Sequence, residues 1–192
     1  TKQWIEYFKN DYSPIVELFY GQLYSKITND KNNDKSEIYE PFSNLALEIP
    51  DKKGNITIYD CLNNFCNPEE VPDFGDTDKK YHKSLSLWKT PKHLVVFFKR
   101  FDNMGRKKDE QIKFPINNLN LGKYVLGYDQ DDSIYDLYAI SNHIGGLMGG
   151  HYYAYVKNSD NNWYKYNDKY VSSLEESDLI TPEAYCLFYK KK

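Results

Sequence analysis

Long apolar runs, an excess of basic residues and paired cysteines are all missing from this 192-residue sequence. The longest apolar run, Leu94–Phe98, is far shorter than the roughly 20 residues of a membrane-spanning helix, so we expect no integral membrane protein. The net charge is −3, and no segment is basic enough to indicate a nucleic-acid partner. Three cysteines without close spacing argue against a disulfide scaffold and favour a reducing compartment, the cytoplasm or the nucleus.

A signal peptide and an initiator methionine are also missing. The first twelve residues mix charged and aromatic side chains without an apolar stretch, and the first of them is Thr1. We take this start as an indication that the numbered chain begins inside a longer protein. Aromatic residues, in contrast, are abundant at 17%, with 19 tyrosines, which argues against intrinsic disorder.

Helix signals are few and short. Ser13 and Pro14 favour a helix that ends at Gly21, and Thr57 with Asp60 resembles a capping box before a second helix. A small third helix is predicted over residues 174–178, and polar connections over residues 29–35, 67–80 and 102–110.

Most of the remaining segments have the alternating pattern of β-strands. The predicted strands cover residues 22–27, 45–49, 85–87, 94–98, 135–142, 152–157, 163–166 and 185–189. Many strands, few helices and no βαβ rhythm predict an α+β fold with an antiparallel sheet. We see neither an internal repeat nor a flexible linker between domains.

Four glycines crowd the stretch before His151, within the run GGLMGGHY at residues 145–152. Glycine lets a backbone approach a ligand closely and adopt positive φ values. A narrow passage that ends at an imidazole suits an extended peptide with small residues at its reacting end. The alternative is a glycine-rich hairpin turn with a surface histidine, and this stretch alone does not choose between the two.

Asn167 follows His151 by sixteen residues and lies at the end of the next predicted strand. If the two strands are antiparallel neighbours, both residues reach the same edge of the sheet. An Asn that holds the Nδ1–H of a histidine orients the ring so that Nε2 serves as general base, as in Cys-His-Asn peptidases. The alternative is that Asn167 and Asp168 form an ordinary turn.

Four segments surround these residues and read LYAISNH, MGGHYYAYV, WYKYND and AYCLFY, beginning at residues 137, 148, 163 and 184. Together they closely resemble the His box of the ubiquitin-specific proteases, papain-like cysteine peptidases also called ubiquitin carboxyl-terminal hydrolases. The other segments that resemble this family, in order, are residues 13–22, 39–42, 57–61, 85–101 and 114–116. The resemblance covers nearly all of the chain.

The resemblance implies a papain-like α+β fold with an antiparallel, β-rich palm and fingers and few short helices. It assigns His151 as the general base and Asn167 as the residue that orients it. It assigns Asp168 to the adjacent polar position, from which a side chain can assist the oxyanion or the imidazole. His143 is expected to be structural, and His82 and His93 to be surface or strand residues.

The same resemblance implies a binding site for the tail of ubiquitin beside His151. The residues that it assigns to substrate binding are Leu147, Met148, Gly149, Gly150 and Tyr152. Residues 102–111 would form the other loop over that tail.

The sequence departs from the family in lacking its Cys box, the segment that carries the nucleophile. Cys61 and Cys66 lie in a short predicted helix and Cys186 in the last strand, so we interpret all three as packing residues. Residues 1–192 are therefore interpreted as the C-terminal palm and fingers portion of the catalytic domain, without the helical thumb. This interpretation requires a Cys-box half, upstream or on another chain, as a partner.

Two Cys-x-x-Cys pairs, which hold a structural zinc ion at the fingertips of many family members, are also missing. The corresponding positions are Asn29, Asn32, Pro72 and Gly75. We therefore expect no metal and no other cofactor.

The reaction implied for the complete enzyme is thiol-dependent hydrolysis of the bond after the C-terminal glycine of ubiquitin. Three hypotheses stay open for this chain. It is half of an active deubiquitinase that acts on ubiquitin or ubiquitinated proteins, an inactive ubiquitin-binding pseudoenzyme, or a β-rich interaction module. The presence of both His151 and Asn167 favours the first, because a non-catalytic scaffold has no chemical reason to keep the two in register.

Overall fold

The computed structural model describes residues 2–29, 34–52, 54–71 and 80–192 of the chain. Within these residues the chain forms fourteen β-strands, three α-helices and two short 3-10 turns. The helices are α1 (Lys2–Phe8), α2 (Pro14–Phe19) and α3 (Ile58–Cys66), and the 3-10 turns are Gly122–Tyr124 and Glu176–Asp178. The predicted α+β class, rich in strands with few short helices, is confirmed.

The strands vary in length from two to thirteen residues. In chain order they are β1 (Gly21–Asn29), β2 (Asp34–Phe42), β3 (Leu45–Glu48), β4 (Ile56–Thr57), β5 (Glu69–Val71), β6 (Tyr81–Lys89), β7 (His93–Lys99), β8 (Ile112–Lys113), β9 (Leu119–Asn120), β10 (Ile134–Gly146), β11 (Gly149–Lys157), β12 (Trp163–Asn167), β13 (Tyr170–Leu174) and β14 (Ala184–Lys191).

Two sheets contain most of these strands. The smaller sheet has four antiparallel strands in the order β2-β1-β6-β5. The larger sheet has eight strands in the order β13-β12-β11-β10-β14-β7-β3, with β9 paired to β10. Its strand pairs are antiparallel except for β3 with β7. The short strands β4 and β8 form a separate parallel pair.

Both predicted helix starts are confirmed. The Ser13 hydroxyl accepts a hydrogen bond from the Val16 N–H at 3.4 Å, and Pro14 is the first residue of α2. At α3, the Thr57 hydroxyl accepts from the Asp60 N–H at 3.2 Å, while the Asp60 carboxylate accepts from the Thr57 N–H at 2.8 Å. Each cap satisfies backbone donors that the first turn of a helix leaves unpaired.

The core lies on one face of the larger sheet, where alternate strand residues point inward. Val96 and Phe98 of β7 and Leu187 of β14 are fully buried there, and the inner face of α3 adds Ile58 and Leu62. Burial of each such side chain contributes about 1.5–3 kcal/mol to stability. A well-packed sheet therefore supports the strands that lead to His151.

Three local elements differ from what the sequence indicated. The predicted connection over residues 67–80 contains strand β5, which pairs with β6, while residues 72–79 lie outside the described part. The small helix predicted over residues 174–178 is shorter, a 3-10 turn over Glu176–Asp178, and Leu174 is instead the last residue of β13. No helix was indicated for Lys2–Phe8, which forms α1. All three elements are short and polar or terminal, so their apolar periodicity is weak.

Candidate active site

The β10–β11 hairpin carries His151. The two strands pair up to Gly146 and Gly149, so that only Leu147 and Met148 form the turn. His151 is the third residue of β11 and pairs with Ile144. The pairing of β10 with β11 thus continues through the glycines that precede His151.

The glycines of this hairpin divide into two kinds. Gly145 has a φ of 102°, and a Cβ on Gly150 would collide with the ring of His143, so the chain's own geometry requires both. Gly146 and Gly149 are surrounded by open space, so packing within the described residues does not explain them. Residues 145–150 therefore form a tight hairpin. At its end, around Gly146 and Gly149, lies a strip of backbone that no side chain covers.

Strand pairing brings Asn167 to His151. Tyr166 of β12 faces Ala154 of β11, which places Asn167 and His151 on the same face of the sheet near one end. His151 Nε2 lies 2.5 Å from Asn167 Oδ1. Because a carbonyl oxygen can only accept, this contact places the proton on Nε2 and leaves the lone pair of the neutral ring on Nδ1.

The sequence interpretation of the two ring nitrogens is wrong. It makes Nδ1 the nitrogen that Asn167 holds, whereas in the structure Asn167 contacts Nε2 and not Nδ1. The physical reason is a diagonal offset between the two side chains across the strand pair. Nε2 is the ring nitrogen farther from the backbone, and so it is the one that reaches Asn167.

Asp168 lies in the two-residue turn between β12 and β13, with a φ of 52°. Its Oδ2 is 3.9 Å from His151 Nε2, which is too long for a hydrogen bond. The Asp168 side chain is 76% exposed, so solvent screens its attraction to a protonated imidazole. Asp168 is thus close to the His151–Asn167 pair without being part of its hydrogen bonding.

The residues expected to bind substrate lie at the exposed end of the hairpin. Leu147 is exposed and Met148 is 98% exposed, although both are apolar. Gly149 and Gly150 connect this tip to His151. Tyr152 lies on the opposite face of β11 and packs on the ring of His143 at a centroid distance of 4.5 Å.

His143 is buried on the face opposite His151. Its ring contacts those of Phe101, Tyr152 and Tyr185. Burial, with a smaller effect from the nearby Lys107, lowers the pKa of His143 and keeps the ring neutral. These contacts fit the structural role expected for His143.

The other two histidines lie in strands. His82 is part of β6, and His93 begins β7, where it stacks on Phe19.

All three cysteines are free and lie in packing positions. Cys61 and Cys66 are in α3, and Cys186 is in β14. Burial raises the pKa of each thiol to about 11. Each thiol is therefore protonated at neutral pH, whereas a cysteine peptidase needs a thiolate.

Two basic residues that the sequence analysis passed over anchor the loop of residues 102–111. Arg100 is fully buried, and its Nε and Nη1 donate to the carbonyls of Ala184 and Lys108, both at 2.8 Å. Lys107 Nζ donates to the carbonyl of His143 at 2.7 Å. In the sequence, the only sign of these two anchors was a run of charged residues in a predicted loop. Charged residues in a loop usually face solvent.

The described residues contain no cluster of three or more His, Cys, Asp or Glu side chains that could bind a metal ion. Asn29 lies at the end of β1, while Asn32, Pro72 and Gly75 lie outside the described ranges. The absence of zinc stays a prediction. No helix in the described part is long and apolar enough to cross a membrane.

His151 and Asn167 thus form a hydrogen-bonded pair on adjacent strands of an α+β fold. The sequence profile of the ubiquitin carboxyl-terminal hydrolase family matches residues 2–189. The chain belongs to this family, as the sequence resemblance predicted.

Individual relatives match over much of the chain. Ubiquitin carboxyl-terminal hydrolase 2 of Gallus gallus is 34% identical over 98% of this chain and 56% of that protein. In Saccharomyces cerevisiae, hydrolase 8 is 35% identical over 91% of this chain and 41% of that protein, and hydrolase 12 is 41% identical over 73% and 12%. The chain thus spans between 12% and 56% of the length of these relatives.

Solved structures have the same fold. A yeast SAGA DUB module with a mutant Sgf73 has a TM-score of 0.84 and 31% identity, covering 100% of this chain and 45% of that chain. The SAGA Ubp8/Sgf11/Sus1/Sgf73 DUB module bound to ubiquitin aldehyde has a TM-score of 0.81 and 33% identity, covering 96% and 44%. These similarities confirm the predicted papain-like α+β class.

Proposed function

We propose that this chain supplies the base half of a deubiquitinase, which hydrolyses the bond after the C-terminal glycine of ubiquitin with a thiol nucleophile. The observation that carries the proposal is the contact of 2.5 Å between His151 Nε2 and Asn167 Oδ1. Family membership supports the reaction class. The similar DUB module bound to ubiquitin aldehyde supports ubiquitin, free or conjugated, as the partner.

His151 and Asn167 have separate tasks in this mechanism. Through Nδ1, His151 takes the proton of the thiol as its sulfur attacks the scissile carbonyl, and it then returns a proton to the leaving amine. Asn167 accepts a hydrogen bond from Nε2–H throughout and keeps the ring in one orientation. The His151 side chain is 45% exposed, which leaves room for a thiol and a substrate beside it.

The nucleophile comes from a Cys-box segment outside these 192 residues. Cys61, Cys66 and Cys186 are poor candidates, because burial raises the pKa of each to about 11. In this proposal, residues 1–192 form the palm and fingers portion of the catalytic domain. The Cys-box half, upstream or on another chain, is the partner that completes it.

The exposed end of the β10–β11 hairpin binds the tail of ubiquitin. The tail passes the backbone at Gly149 and Gly150, with apolar contacts from Leu147 and Met148 at the tip and from the exposed edge of Tyr152, whose ring packs on the opposite face of β11. Asp168 contributes its negative charge near the imidazole. No metal or other cofactor takes part, and we place the protein in the cytoplasm or the nucleus because its cysteines are free.

A ubiquitin-binding protein without hydrolytic activity is the second candidate. The buried, protonated state of the three thiols favours it for this chain taken alone. The two candidates differ in what happens once a Cys-box segment is present.

The test joins the chain, in cis or in trans, to the Cys-box segment of the full-length protein and measures release of a fluorophore from the C-terminus of ubiquitin. We expect no hydrolysis by the 192-residue chain and hydrolysis by the joined protein, which iodoacetamide abolishes. His151→Ala should abolish hydrolysis, whereas His82→Ala, on the smaller sheet, should not.

Two results would contradict the proposal. Labelling of Cys61, Cys66 or Cys186 by a ubiquitin activity probe in the 192-residue chain would place a working thiolate inside it. Ubiquitin binding without turnover by the joined protein would select the second candidate.

A further inference from the structure

We propose that Lys107 is a positioning residue that holds the β10–β11 hairpin, and with it His151, against the loop of residues 102–111. The inference rests on the proposed role of His151 and adds a residue that acts through the backbone. It is carried by the contact of 2.7 Å between Lys107 Nζ and the carbonyl oxygen of His143.

The hairpin projects beyond the strand that supports it. β14 pairs with β10 only up to the pair of Asn142 with Ala184, and the His143 N–H still donates to the Glu183 carbonyl at 2.9 Å. Since the N–H and C=O of one strand residue point the same way, the His143 carbonyl faces the side where β14 has already ended. Lys107 supplies the donor that a longer β14 would have supplied.

The environment of Lys107 is unusual for a lysine. Its side chain is only 10% exposed, whereas lysine is almost never buried unless it is paired. Its nearest carboxylate, on the exposed Asp109, is 3.7 Å away and contributes little. The charge-assisted hydrogen bond to the His143 carbonyl is therefore the main polar interaction of the ammonium group.

A second contact between the loop and the hairpin lies at the hairpin tip. The side chain of Leu147 lies over Gly105, where a Cβ would be 3.0 Å from Leu147 Cδ2. The loop thus contacts the hairpin at its base through Lys107 and at its tip through Gly105.

Hydrogen bonds on both sides of Lys107 restrain the loop that carries it. The Asp102 carboxylate accepts hydrogen bonds from the N–H and the Nε of Arg106, at 2.9 and 2.8 Å. At the other end, the buried Arg100 donates to the Lys108 carbonyl at 2.8 Å. A fixed loop can restrain the hairpin, whereas a mobile one could not.

The restraint reaches His151 through one strand pair. His143 precedes Ile144, and Ile144 is the residue of β10 that pairs with His151. A shift of the His143 backbone therefore moves the residue that holds the base. Misplacement of a reacting group by about 1 Å can lower a rate by about a hundredfold.

The test compares three variants. Lys107→Met keeps the unbranched apolar stem of the side chain and removes its donor, whereas Lys107→Arg keeps both charge and donors. Lys108→Met is the matched control, because Lys108 Nζ donates instead to the Ile49 carbonyl at 2.9 Å and to Asp51 at 2.7 Å.

The first measurement needs no activity. In the 192-residue chain, the imidazole nitrogen resonances of His151 report its tautomer, and amide exchange of Ile144 and His151 reports opening of the hairpin. In Lys107→Met we expect loss of the single Nε2–H form and exchange about tenfold faster. Lys107→Arg and Lys108→Met should resemble the unsubstituted chain in both.

The second measurement uses the protein joined to its Cys-box segment. Lys107→Met should lower kcat about ten- to a hundredfold and change KM for a ubiquitin substrate by less than about twofold, because the substrate still binds. Lys107→Arg should restore kcat.

The outcomes separate this inference from the proposed function. Unchanged His151 resonances and exchange in Lys107→Met would overturn the role of Lys107. So would a Lys107→Arg variant that behaves no better than Lys107→Met. An inactive joined protein would instead contradict the proposed function, while the resonances of His151 would still decide the role of Lys107.

Discussion

The imidazole of His151 and the carboxamide of Asn167 meet across two adjacent strands, with Nε2 2.5 Å from Oδ1. The register of β11 with β12 brings the two residues together. A slip of one residue in that register would turn Asn167 to the opposite face of the sheet. The pair is therefore a product of strand pairing, and its geometry depends on the packed sheet beneath it.

The first prediction concerns the two polar neighbours of His151. In the joined protein, Asn167→Ala should lower kcat about a hundredfold with little change in KM, because the ring loses its orientation but the substrate still binds. Asp168→Asn should lower kcat less than about threefold, because the 3.9 Å separation gives only a screened attraction. A larger loss in Asp168→Asn than in Asn167→Ala would show that Asp168 orients the ring.

Much of this site is predictable from the sequence because strand alternation fixes which residues share a face. His151 and Asn167 each lie near one end of a strand with a clear pattern, so their proximity follows from antiparallel pairing. Which ring nitrogen meets Asn167 is not predictable, because it depends on the diagonal offset between the strands. Lys107 was missed because only the folded chain shows that β14 ends before the carbonyl of His143.

The fold, like the site, has some elements that the sequence predicts and others that it does not. The caps at Ser13 and Thr57 were predictable because a cap is a local interaction within four residues of the chain. Strands β5 and β13 were missed because each is a short strand at the edge of its sheet, where the mostly exposed side chains follow no buried-exposed alternation.

The second prediction separates the two kinds of glycine in the hairpin. Gly150→Ala should lower the free energy of unfolding by about 1–3 kcal/mol, because its Cβ would collide with the ring of His143. Gly149→Ala should change it by less than about 0.5 kcal/mol, since the space around Gly149 is open.

Gly149→Ala, which should hardly change stability, should instead weaken substrate binding. In the joined protein, Gly149→Ala should raise KM for ubiquitin substrates, because its methyl group enters the strip that we assign to the tail. Denaturant unfolding and steady-state kinetics measure the two effects separately. A Gly149→Ala protein with unchanged kinetics would remove Gly149 from the binding site.

The third prediction concerns the pH dependence of stability at the start of α3. Hydrogen bonds from Lys52 and then from Thr57 lower the pKa of Asp60 to about 2. In the unfolded chain the pKa of an Asp is about 3.9, so the folded state favours the charged form. The stabilisation from Asp60 is therefore fully present above about pH 4 and is lost as the pH falls toward 2.

The measurement compares the free energy of unfolding of the unsubstituted chain with that of Asp60→Asn between pH 5 and about 2. The difference between the two proteins should shrink as the pH falls. Thr57→Ala should cost about 1 kcal/mol at neutral pH, the usual effect of losing an N-cap. A difference that is independent of pH would show that Asp60 does not have a lowered pKa in the folded state.

The last prediction concerns Arg100, which is fully buried. It donates to the carbonyls of Ala184, Lys108 and Glu110 at distances of 2.8–3.1 Å, and none of the described carboxylates forms an ion pair with it. Arg100→Met would leave these carbonyls without their donor, so we expect unfolding to become easier by about 3 kcal/mol in urea titrations. Arg100→Lys should recover little, because an ammonium group lacks the planar fork of donors that reaches two elements at once.

Arg106→Met is the matched control for this prediction. Arg106 is exposed and pairs with Asp102 at 2.8 Å, so its loss should cost no more than about 1 kcal/mol. Equal losses in Arg100→Met and Arg106→Met would show that the buried guanidinium does not hold the loop to β14. If Arg100→Met is the more destabilised and also shows faster amide exchange in residues 107–110, the buried guanidinium fixes the base from which Lys107 reaches His143.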